Sequence, residues 1–133
     1  MTREHQGAFF LRELETGDTW RRAAAARGLG RLGDTVHAVV LVRAAGDLAP
    51  GVQEGAAVGL GRLGVPEAGA RALPALMDDD DPRVRRQASL AAPRLGLRDR
   101  VVADAYGRLL GRGFLREIEM LARVHGVREH RSA

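Results

Sequence analysis

Small and apolar side chains recur along this chain at offsets of three and four residues, in three sets that resemble one another. They are Ala25, Leu29 and Leu32, then Val52, Ala56, Leu60 and Leu63, then Val84, Ala88, Ala92 and Leu95. Such offsets place each set on one stripe of an α-helix. Whole phrases recur around the stripes. Gly28-Leu29-Gly30-Arg31-Leu32-Gly33 returns as Gly59-Leu60-Gly61-Arg62-Leu63-Gly64, and Ala91-Ala92-Pro93-Arg94-Leu95-Gly96 keeps the same frame. The closing Leu-Gly pairs lie 31 and 32 residues apart. A period of that length marks one supersecondary unit stacked on copies of itself.

In the first half of each unit, the A helix, alanine and glycine on the stripe let neighbouring helices approach closely. The third A helix has the plainest start, with Asp81 placed to cap free amides and Pro82 at the first helical position. Asp18 and Pro50 mark similar starts. Gly30, Gly61 and Pro93 share one repeat position and each weakens a helix, which predicts that the last turn bends or frays. The second half of each unit is a B helix, expected from Asp34 to Ala45, Pro66 to Met77 and Arg100 to Leu110. Thr35 to Val42 is rich in valine and reads locally as a strand, but its place in the repeat overrules that. Pro74 either kinks the second B helix or shifts its start.

Phe9, Phe10, Leu11 and Leu14 form the stripe of an end helix over 4–16, and Phe114, Leu115, Ile118, Leu121 and Ala122 that of a second over 114–125. End helices with one polar face are what a stacked array needs. The expected fold is an all-α solenoid in one domain, 1–126. Three helix pairs, about 18–48, 49–80 and 81–110, stand between N- and C-terminal capping helices, and 127–133 is a disordered tail.

At 133 residues the chain is one ordinary domain. With no cysteine it can form neither a disulfide nor a thiolate site. No apolar run is long enough for a signal peptide or a membrane span, so a soluble cytoplasmic protein with no membrane partner is expected. All 21 basic residues are arginine, a bias for which a GC-rich genome is the plain explanation. The charge is unevenly placed nonetheless. Residues 1–49 carry seven Arg against six acids, 50–81 two against six, and 82–133 twelve against five. That gradient can steer an anionic partner toward the C-terminal half.

The run Asp81-Pro82-Arg83-Val84-Arg85-Arg86-Gln87-Ala88, with Leu95-Gly96 after it, resembles the HEAT-like repeat of phycobilisome lyases and many bacterial repeat proteins. The resemblance covers about Asp18 to Leu110. It implies a convex side of A helices and a concave side of B helices, with partners on the concave side. It also implies that Arg85 joins a ladder of Asp and Arg side chains between units, interrupted at Gln53 and Glu54.

Catalytic material is thin. Ser89 holds a repeat position otherwise taken by alanine, and no histidine stands in register to activate it. His5, His37, His125 and His130 share no ligand spacing. HEAT-like iron hydroxylases carry paired His-Glu dipeptides, whereas this chain has only the reversed Glu4-His5 and Glu129-His130. HEAT-like DNA glycosylases use aromatic and acidic cleft residues, and Trp20 matches no such motif. The acidic run Asp78 to Asp81 reads as a capping turn in preference to a cation site.

Two charged sets remain. Arg100, Asp104 and Arg108, spaced by four, make a stripe on the third B helix, which the resemblance places on the concave surface with Arg71 and Arg43. Arg31, Arg62 and Arg94 share one repeat position and form a row on the A helices; with Arg83 and Arg86, Arg94 makes a phosphate-binding alternative. Trp20 and Tyr106 are the aromatic candidates for an interaction anchor. The expected function is a non-enzymatic, cofactor-free adaptor binding an acidic or mixed-charge protein segment along the B helices. Nucleic-acid backbone binding by the Arg-rich C-terminal half is the alternative, and a module serving a chromophore protein rests on the resemblance alone.

Overall fold

The computed structural model describes residues 2–97, which form six α-helices: α1 (Arg3–Thr16), α2 (Thr19–Leu32), α3 (Ala38–Ala44), α4 (Pro50–Leu63), α5 (Pro66–Met77) and α6 (Pro82–Arg94). The expected third B helix with Arg100, Asp104, Tyr106 and Arg108, the expected C-terminal end helix and the expected tail lie outside the described residues. The A helices α2, α4 and α6 pack side by side, while α3 packs against α4 and α5. The N-terminal α1 lies against α2 and shares a groove with α3, so it extends the layer of B helices.

Each A helix starts where its cap chemistry dictates. The Asp18 carboxylate accepts the Arg21 amide at 2.9 Å, and that of Asp81 accepts the Arg83 amide at 2.9 Å. The middle unit lacks a capping side chain at Ala49 and starts on Pro50, with the Asp47 carboxylate accepting the Ala49 amide at 2.9 Å. At the other ends, Gly33, Gly64 and Gly96 take φ of 75°, 82° and 78°. A side chain in that left-handed region would crowd the following carbonyl, so glycine recurs once per unit at the position that turns the chain from A toward B.

The expected fraying at Gly30 and Gly61 is not found: α2 and α4 continue through them to Leu32 and Leu63. The missing side chains serve packing instead. A Cβ at Gly30 would stand 2.5 Å from the Gly59 backbone, one at Gly59 2.5 Å from the Ala26 carbonyl oxygen, and one at Gly55 2.6 Å from that of Ala23. The α2–α4 seam is therefore backbone on backbone. From Gly61 the next seam continues to Ala91 of α6, where a Cβ would stand 3.0 Å from the Ala91 methyl. The apolar stripes lie beneath these seams, with Leu29, Leu60, Val52, Val84, Ala56 and Ala88 fully buried.

Thr35 to Val42 is helical, as the repeat position requires, but it begins as one 3₁₀ turn over Thr35–His37 before α3. The Asp34 carboxylate accepts the Val36 amide at 3.1 Å and its carbonyl accepts the His37 amide at 3.1 Å, which closes a tight turn and delays the α-helix. α5 matches the expected Pro66 to Met77 with Pro74 inside it, so Pro74 does not set the start. The expected stripe of α1 is split. Phe10 and Leu14 pack against the core, whereas Phe9 and Leu11 are exposed, because α1 turns Gly7 and Phe10 inward. Gly7 packs on the His37 ring and Phe10 covers Gly28.

Candidate interaction surface

Arg22 and Arg85 occupy the same place, four residues beyond their caps, with Gln53 between them in the repeat. Arg22 Nε and Nη2 each donate at 3.2 Å to one oxygen of Asp47, and its Nη1 donates to the Gly17 carbonyl at 3.0 Å. Burial pushes the Asp47 carboxyl up, yet the hydrogen bonds from Arg22 and the Ala49 amide outweigh it and hold the group below the usual carboxylate range. Arg85 Nη1 donates to the Asp79 and Asp80 carbonyls at 2.7 and 3.1 Å. The resemblance implied a rung at Arg85; among the described residues the Arg–Asp rung between units is Arg22–Asp47, while Arg85 fastens its own loop.

Two grooves run between helices of the described residues. Between α1 and α3 lies a groove of about 470 Å³ lined by Ala8, Leu11, Leu14, Val40 and Ala44, with Arg12, Glu15 and Arg43 among its charged walls. Arg43, expected on this side, is exposed there. Arg12 and Glu15 were not singled out in the sequence, and Leu11 only as part of the end-helix stripe, since nothing along the chain reveals that α1 joins the B layer. Arg71 sits half-buried on α5.

On the A side, Arg62 and Arg94 line one groove of about 380 Å³ with Arg27, Val58, Gln87, Leu90 and Ala91. Arg31, at the equivalent repeat position, is exposed but lines no part of it. Of the phosphate-binding alternative, Arg83 is occupied: its Nε and Nη2 donate to the Asp81 carboxylate at 3.2 and 2.9 Å. That pairing and the Arg83 amide bring the Asp81 carboxyl down to about 2. Arg86 is exposed outside the groove.

Trp20 is 77% exposed and forms a shallow apolar hollow with Phe9, Phe10, Ala24 and Ala25. His37 is only 9% exposed. Burial pushes its imidazole below the ordinary value, and the Asp34 charge offsets this in part. Among the described residues no three His, Asp or Glu side chains converge as a metal site would require, and no helix is long and apolar enough to cross a membrane.

Helix pairs stacked through main-chain seams, with grooves open between units, define an α-solenoid. The family model for HEAT repeats matches residues 8–102, and the chain belongs to that family. HEAT repeats are commonly protein-interaction scaffolds and are generally non-catalytic. No curated protein matches the chain significantly.

Proposed function

We propose that this protein is a cytoplasmic, non-enzymatic scaffold that holds an acidic or mixed-charge segment of a partner protein along its B-helix side. The observation that carries the reading is the α1–α3 groove. Its floor is apolar, through Leu11, Leu14 and Val40, and its walls present Arg12 and Arg43 beside Glu15 and the Arg22-paired Asp47. An apolar strip between charges of both signs suits a peptide segment, because buried carbon supplies affinity while the flanking charges fix register. Arg71, half-buried on α5, extends the proposed surface; Arg100, Asp104 and Arg108, expected on the same side from the resemblance, lie outside the described residues.

The test is affinity capture from native lysate, with mass spectrometry, comparing the full chain with a Leu11→Ser, Arg43→Glu variant. Both side chains are exposed, so the variant keeps its fold. A protein retained by the wild type and lost from the variant supports the reading. Capture that is indifferent to the substitutions refutes it, as does binding dominated by nucleic acid that disappears steeply with salt.

A further inference from the structure

The A-side groove is a different kind of surface from the one on the B side. Among the described residues its charged lining is entirely arginine, namely Arg27, Arg62 and Arg94, and no carboxylate lines it. Arg27 lies 3.9 Å from Glu54 and is partly neutralised. Arg62 and Arg94 are exposed and have no carboxylate partner among the described residues. Beside these guanidinium groups stand Leu90, 55% exposed on the outer face of α6, and Val58, half-buried on α4. Gln87 adds an amide that both donates and accepts.

From this charge complementarity we propose that the α4–α6 groove is a second docking site, for a helical protein segment bearing carboxylates and a leucine. Arg62 and Arg94 take the carboxylates, since a planar fork matches a carboxylate with two parallel hydrogen bonds. Leu90 and Val58 take the leucine. Parallel helices with a trough between them receive a third helix by ridges-in-grooves packing, with anchors on one face of the guest. A nucleic acid fits less well, because none of the lining residues is aromatic and an exposed leucine beside the arginines is wasted on a phosphate backbone.

The site is lined by α2, α4 and α6 and shares no lining residue with the α1–α3 groove, so it would let one chain hold two partners at once. It stands independently of the B-side reading. The structural reason for its location is the repeat itself. Arg62 and Arg94 share a register, and the Gly61–Ala91 contact draws α4 and α6 together beneath them, which brings both guanidinium groups onto one trough.

The experiment is fluorescence anisotropy on the full chain with a labelled, helix-forming peptide carrying glutamates and leucine on one face. Its glutamine-for-glutamate and alanine-for-leucine versions, and a single-stranded RNA of equal charge, serve as comparison probes. Saturable peptide binding is expected, weakened about tenfold or more by the Arg62→Gln, Arg94→Gln double variant and severalfold by Leu90→Ser. Arg31→Gln and Arg43→Gln should leave it unchanged. Circular dichroism that is identical for all variants separates lost binding from lost fold. The proposal is overturned if no peptide binding saturates, if the double variant binds like wild type, or if RNA binds more tightly than the peptide. Sensitivity to Arg43→Gln with indifference to Arg62 and Arg94 also overturns it, and would leave the B-side reading standing.

Discussion

Arg22, in the first turn of α2, holds Asp47, just before α4, through two parallel hydrogen bonds of 3.2 Å. Both side chains are about three-quarters shielded from solvent. The pair fastens the start of one unit to the start of the next, and the same carboxylate receives the Ala49 amide where the α4 cap lacks a side chain. Arg22→Met is expected to cost about 1.5–3 kcal/mol, the range of hydrogen bonds to charged groups. Asp47→Asn should cost a similar amount. Because the folded Asp47 carboxyl is held below its ordinary value of 3.8, its contribution is complete above that pH and fades as pH falls through the lowered value. Denaturant titrations near neutrality and in acid would show the wild type converging on Asp47→Asn, and a constant gap would contradict the pairing.

Gly59→Ala is expected to destabilise the chain by about 1–3 kcal/mol, although alanine is the better helix former. The added Cβ would stand 2.5 Å from a main-chain oxygen that cannot move without shifting α2, so overpacking outweighs propensity. Gly51→Ala is the control, since nothing lies within 4 Å of its Cβ position in the same helix. It should raise stability by under about 1 kcal/mol. Thermal melts of the two variants in opposite directions are the expected outcome.

Gly64→Ala should cost about 1–2 kcal/mol through its positive φ of 82°, although no atom stands near its Cβ position. Gly64→Asn should recover part of that loss, because asparagine tolerates the left-handed region. Equal melting temperatures for the two variants would show that conformation is not the cause.

His37 makes the fold sensitive to mild acid. Its folded-state value lies below the ordinary 6.5, so the unfolded chain takes up the proton more readily. The stability it preserves is complete above pH 6.5 and is lost progressively as pH falls from there toward the lowered value. His37→Leu should flatten that part of the stability curve. A variant retaining the full acid slope between pH 7 and 5 would place its origin elsewhere.

The three A helices were legible in the sequence because their caps, stripes and closing glycines repeat at a fixed spacing. The span of the second B helix, Pro66 to Met77, was legible from the repeat, while the effect of Pro74 on its start was not. Gly30 and Gly61 were legible as special but were read as points of local weakness. The abundance of alanine and glycine in the A helices already implied close helix approach, but which glycines make it depends on the neighbouring helix, and the sequence does not place that helix. The two faces of α1 were misread for a related cause, since Phe9 and Phe10 look equally apolar until the position of α2 separates them. Of the arginine row, Arg62 and Arg94 share a trough as their register suggests, while Arg31 stands at the end of α2 beyond it.

Because the α2–α4 contact is made by main chain, the distance between those helices is set by atoms common to every amino acid. Outward-facing side chains can then vary freely during evolution without altering how far one unit stands from the next. A lineage of such proteins would keep its pitch while changing what it holds.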